Sequence, residues 1–357
     1  MDLFATLKSL TREPAVPLVD FVIDDPARTD EPLRSGRLEA GRHYVRLRLA
    51  RMFLKYQRTW FQEWFPAVQS HVRFDAGSLT IELPNVADAK RARLPVDGSA
   101  APLIIRNVPL TPTVPFDGGL LELSASLMAI RGSNGVNEFI GVLGGFAEML
   151  QVPQFTTTLA LAKPLADGLS VLLKTASDHL HLGYFNSFGE GQLADSYIVV
   201  LRAPSAGTDR SQFHVRDGEL CIMAGGQLVS FDACDYMLLR VEVFERRDDW
   251  EKLGFFAEAW QALEQVLADQ GPDWESASTA RLRTVLLRVS QAKELTKLDR
   301  LRINTELKAR FVEMKQQYAA SGLVGKPSLG FADIARDAPG VPLDQPEPSI
   351  DEWMAGT

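Results

Sequence analysis

The apolar residues of this chain change their spacing between Leu121 and Leu150, and that change constrains the fold more than any other stretch. Leu121, Leu123, Ala125, Leu127 and Ala129 fall on one parity, with Glu122, Ser124 and Ser126 on the other. A period of two is the mark of a strand with one buried face. Asp117-Gly118-Gly119 supplies the positive-φ positions of a tight turn before it. Pro109, Pro112 and Pro115 deny the preceding segment regular ladder bonding and predict an edge or crossing strand. From Gly135 the period becomes 3.6, through Val136, Phe139, Ile140, Leu143, Phe146, Ala147 and Leu150. Gly141, Gly144 and Gly145 each weaken that helix by roughly 1 kcal/mol against Ala. The segment reads as a helix pressed closely against a sheet, or alternatively as a membrane-active segment.

Before this handover the chain is β-rich. Strands are expected at Val16–Ile23, Tyr44–Ala50, Val68–Phe74 and Leu79–Leu83, then from Pro102 onward, with loops over 24–41 and 84–101. Turn signals roughly every 10 residues point to an antiparallel β-sandwich over residues 16–132, preceded by an N-terminal segment, 1–15. Residues 133–248 are expected to hold helices, one of them at Phe155–Lys174 with a kink at Pro164 or Gly168, and a second short-stranded β region. Its strands are His179–Phe185, Tyr197–Ala203, Gln212–Val215, Glu219–Met223 and Tyr236–Glu245, with a hairpin turn at Asp217-Gly218. This region either completes the first sheet or forms its own.

Residues 249–321 read as a C-terminal helical hairpin, with Asp248 or Asp249 as the first N-cap and Ser276 or Ser278 as the next. No Gly or Pro falls between Ser278 and Gly322, so this stretch holds either two abutting helices or one of roughly 40 residues. Residues 322–357 form an acidic, Pro-rich tail. The expected fold class is α+β.

A net charge of −8 argues against a general nucleic-acid binder. Two cysteines in 357 residues make no disulfide framework and suit a reducing compartment. The N-terminus lacks a signal-peptide pattern, and no apolar run reaches the roughly 18 residues a bilayer span needs. These features predict a cytoplasmic protein with no constitutive membrane span.

Motifs that carry chemistry are scarce. His-x-His at His179 and His181 puts two imidazoles on one strand face, and His214, Asp178 or Asp195 could add a third and fourth zinc ligand, which would make a metal-dependent hydrolase. Nothing marks Ser187 as the nucleophile of a triad with His179 and Asp195. Acidic neighbours Asp232 and Asp235 disfavour a thiolate at Cys234.

Recognition surfaces are easier to name. Residues 42–65 interleave Arg46, Arg48 and Arg51 with aromatics, a mixture that can take phosphates and stacked bases but more simply places aromatics in a core and arginines on a solvated face or against an acidic partner. Ile350, Trp353 and Met354 form an acidic-apolar cluster in the tail, and Phe311 and Tyr318 lie on one face of the last helical stretch. These eight residues are the candidate protein-binding set. The expected role is a non-enzymatic interaction protein without a cofactor. The other two readings are the hydrolase and an effector whose 135–174 segment inserts into membranes after a trigger such as proteolysis.

Overall fold

The computed structural model describes residues 18–34, 36–55, 64–76, 79–88, 103–131, 180–202, 209–269 and 271–321. The fold is α+β, with antiparallel sheets in the N-terminal part and three helices at the C-terminal end. Two compact units divide the chain: Met1–Ala40 with Tyr44–Phe244, and Gly41–His43 with Glu245–Thr357.

The strands of the first unit are β1 (Val19–Ile23), β2 (Tyr44–Leu54), β3 (Trp64–Ala76), β4 (Leu79–Asp88), β5 (Leu103–Pro109), β6 (Val114–Pro115), β7 (Leu121–Arg131), β8 (Leu180–Phe188), β9 (Ser196–Leu201), β10 (Phe213–Arg216), β11 (Glu219–Ala224), β12 (Gln227–Ser230) and β13 (Tyr236–Phe244). One sheet runs β1-β9-β13-β2-β5 with β6 also on β2, a second β4-β3-β7-β8, a third β10-β11-β12. Strands β9 and β13, from the later β region, therefore sit inside the sheet begun by β1 and β2. The two β regions build one body.

The alternation around Leu121 ends in a core cluster drawn from both larger sheets. Leu121, Leu123, Ala125 and Leu127 of β7 join Leu47 and Leu49 of β2, Ile198 and Val200 of β9, and Met237, Leu239 and Val241 of β13. The turn before β7 has the expected geometry, with φ of 115° at Gly118 and 79° at Gly119. Pro109 closes edge strand β5, where a missing N–H costs no ladder bond. β4 runs on to Asp88, five residues beyond the expected Leu83; Pro84 falls within it, and β4 is an edge too.

One irregularity sets the chemistry of the central sheet. On β13 Leu239 faces Leu49 but Leu238 faces Arg51, so Ala50 is an extra residue on β2. A bulge reverses parity. Arg46 and Arg48 before it and Arg51 and Phe53 after it consequently share one face, whereas simple alternation would have sent the two pairs to opposite faces. Across from Ala50, Asn107 of β5 takes φ of 52°, and its side chain accepts a 2.9 Å hydrogen bond from Arg48.

Among the described residues the second unit holds three helices, so the stretch after Ser278 takes the expected form of two abutting helices and not one long one: α1 (Gly254–Asp269), α2 (Trp274–Ser290) and α3 (Lys297–Ser321). Leu263, Leu267, Leu282, Val285, Leu286, Val289, Ile303, Leu307 and Phe311 bury together. The stretch without Gly or Pro breaks because Thr296 caps α3, accepting from the Asp299 N–H at 3.2 Å. The expected serine and aspartate caps are not used. Ser276 and Ser278 lie inside α2 and donate back to the carbonyls of Asp273 and Glu275. Asp249 makes no cap bond, and its carboxylate is held by Arg247 at 2.7 Å.

Candidate partner-binding face

The face of the central sheet that Arg46, Arg48 and Arg51 share has two halves. Toward one end Phe21, Ile23, Phe53, Val199, Leu201, Tyr236 and Leu238 form an apolar cluster with Phe213, Val215 and Leu220 of the three-stranded sheet. That small sheet is a meander of two hairpins. Asp217-Gly218 turns the first with φ of 50° and 67°, and Gly225-Gly226 the second with 60° and 80°. The second hairpin and β12 were missed in the sequence, although Gly-Gly between two apolar pairs signals them. At the boundary of the halves, Arg51 is 4% exposed and meets Glu219 at 2.7 Å.

The other half is charged. Arg46 grips Glu242 through two hydrogen bonds of 2.6 and 2.9 Å, and Arg48 approaches the same carboxylate at 3.3 Å. Burial works against ionisation of Glu242, but the hydrogen bond and charge of Arg46, with Arg48 and Arg240 behind, outweigh it and hold the carboxyl below its ordinary value. Beside it Arg240, 2% exposed, donates to Asp195 and lies over the Tyr197 ring at 4.9 Å. Burial would lower the Arg240 pKa, but Asp195 above all, then Tyr197 and Glu31, raise it.

The segment between β1 and β2 straps this half. The Arg28 guanidinium donates to the Phe213 carbonyl at 2.7 Å, and the Arg34 N–H to Asp195 at 2.8 Å. Leu38 exchanges backbone bonds with Leu193 and Gly191, both 2.8 Å. Glu31 accepts from the Tyr197 hydroxyl at 2.5 Å and stands 3.5 and 3.6 Å from Arg240 and Arg48. Arg34 and Arg46 both approach the half-buried Phe244 ring, their guanidinium carbons 5.1 and 5.8 Å from its centroid, and the Tyr44 ring stacks on it at 5.6 Å. Cation–π contact, bidentate ion pairing and an aromatic platform thus meet at one rim.

Among the expected partner residues, Arg46 and Arg48 lie together at this rim, while Arg51 is beneath the small sheet, not on a solvated face. The bulge that turned Arg51 to this side also put it under cover. Phe311 is in the core of the helical unit and Tyr318 packs partly buried against it. Ile350, Trp353 and Met354 lie outside the described residues, as do Asp178, His179 and the 135–174 segment. His181 is on β8 and His214 on β10, in different sheets, and no group of three or more His, Cys, Asp or Glu placed to hold a metal occurs among the described residues. Ser187 is on β8 and Asp195 just before β9. Both cysteines are free. Burial first, then Asp235, pushes the Cys234 thiol up to about 11, which disfavours a thiolate.

What the sequence did not reveal was Glu31, Arg34, Asp195, Tyr197, Arg240, Glu242 and Phe244 as one constellation. Only Arg240 and Glu242, two apart on an otherwise apolar strand, carry a local signal. No helix among the described residues is long and apolar enough to cross a membrane. Compared with protein families, curated proteins and solved structures, the chain matches none.

Proposed function

We propose that this chain is a non-enzymatic interaction protein whose β-rich body presents a recognition surface to a protein partner. The observation that carries this reading is the half-buried Phe244 ring with the guanidiniums of Arg34 and Arg46 both close to it at the rim of the charged face. Arginine and aromatic side chains dominate binding energy at protein interfaces, because they offer large contact area and several donors on a stiff frame. The surrounding titratable groups support the same reading. Arg46, Arg48 and Arg240 are matched to Glu242, Asp195 and Glu31, a balance that fixes a surface's shape and charge pattern.

Affinity capture of the tagged full-length chain from its native source tests the proposal. A stoichiometric companion, retained at about 150 mM salt, is the expected result. Recovery of the chain alone, across several extraction conditions, would count against it. A truncation after Gly330 then separates the contribution of the tail: a companion lost on truncation while the body still melts cooperatively assigns the contact to residues 331–357.

A further inference from the structure

The charged rim has more donors than its own carboxylates use. Arg48 and Arg240 each have a buried Nε with no hydrogen-bond partner, although carboxylates stand near them. The nearest oxygens, on Glu242 at 3.3 Å for Arg48 and on Glu31 at 3.5 Å for Arg240, are at ion-pair distance without hydrogen-bond geometry. Glu31 is the loosest member of the set: its side chain is 43% exposed, and its contacts to the arginines are longer than the 2.6 Å grip of Arg46 on Glu242. It enters from the strap, whereas Glu242 stands on the sheet itself.

We propose that the rim formed by Arg34, Arg46, Arg48 and Phe244 docks an acidic peptide segment of a protein partner, whose carboxylate displaces Glu31. The proposal rests on the function proposed above and names the partner's chemistry. Three accessible arginines stand against two carboxylates here, a local positive excess in a chain of net charge −8. Departure of Glu31 doubles that excess and frees the Tyr197 hydroxyl as a further donor. The incoming carboxylate takes over contacts that Glu31 already makes, so docking needs no rearrangement of the sheet. Phe244, half-buried, adds apolar surface beside the guanidiniums of Arg34 and Arg46.

A carboxylate ligand is favoured over a nucleic acid on two counts. Every anion now held by these arginines is a carboxylate. A phosphate backbone would also need a continuous basic stripe on a chain whose overall charge repels it.

Fluorescence anisotropy with a fluorescein-labelled octa-glutamate peptide, on the full chain at 25 and 150 mM salt, decides the matter. Glu31→Gln keeps an acceptor for Tyr197 while removing the competing charge, and is expected to tighten binding about fivefold. Arg34→Ala removes an exposed side chain and is expected to weaken it severalfold. Circular dichroism melts should place both variants within 2 °C or so of the parent. Affinity unchanged or weaker in Glu31→Gln, or unchanged in Arg34→Ala, overturns the proposal, as does tighter binding of a single-stranded DNA 12-mer than of the peptide. A native companion captured equally by the parent and Arg34→Ala would remove this surface while leaving the proposed function standing.

Discussion

Replacing Arg240 by Met tests the charged face most directly. The Asp195 side chain is 1% exposed, and its described partners are Arg240 and the Arg34 N–H at 2.8 Å. Methionine fills most of the volume of the arginine stem but leaves Asp195 a buried anion with one backbone donor. Removing one partner of a buried pair costs about 3–5 kcal/mol, because the remaining charge is neither hydrated nor compensated. With a urea m-value of about 2–3 kcal/mol/M, the midpoint should fall by roughly 1–2 M. Circular dichroism at 216 nm follows the β-rich unit, while ellipticity at 222 nm follows the helical unit and serves as an internal reference. The loss comes from the stranded Asp195 charge and not from the missing arginine stem. The double variant Arg240→Met/Asp195→Asn should recover about 2 kcal/mol for the same reason. A single-variant loss under about 1 kcal/mol, or no recovery in the double, would refute the argument by showing that the pair is screened as a surface pair is.

Deleting Ala50 makes Leu49 and Arg51 consecutive opposite Leu239 and Leu238, so Arg51 and Phe53 keep their face, and the β-rich unit should still unfold cooperatively at 216 nm with a loss of about 1–2 kcal/mol. Thr296→Ala removes the cap of α3 and should lower the stability of the helical unit by roughly 1–2 kcal/mol, read from urea curves at 222 nm. Burial pushes the Glu251 carboxyl up to about 7, with Arg310 pulling the other way. The folded unit thus binds this proton more tightly than the unfolded chain does, and its stability should fall as pH rises from about 4.5 through 7. Glu251→Gln should flatten that slope and raise stability at pH 8 by about 1 kcal/mol, discounted because the group is largely exposed to screening.

Local pattern carried much of the architecture. The Leu121–Ala129 alternation, the Asp117-Gly118-Gly119 and Asp217-Gly218 turns and the helical spacing from Leu253 onward each mark an element the structure contains. Errors fell where a local signal had a stronger competitor. Ser276 and Ser278 resemble caps, but their hydroxyls sit one turn inside α2, where a carbonyl is the nearer partner. The break between α2 and α3 depends on Thr296 and Asp299, a pairing hidden in a stretch otherwise suited to helix. Of the charged face, Arg46 and Arg48 were legible because they alternate with leucines. Asp195 and Glu31 were not, because in sequence each is only an acid in a polar loop.

Period, turn chemistry and composition are properties of neighbouring residues, and by themselves they settled that this chain makes antiparallel sheets followed by helices. Which strands pair was settled elsewhere: β9 and β13 enter the sheet between β1 and β2 from more than 140 residues further along the chain. The single extra residue at Ala50 then decides which side chains share a face. Glu31, Asp195 and Arg240 become neighbours only through that pairing, since an ion pair depends on distance in space and carries no mark in the local sequence.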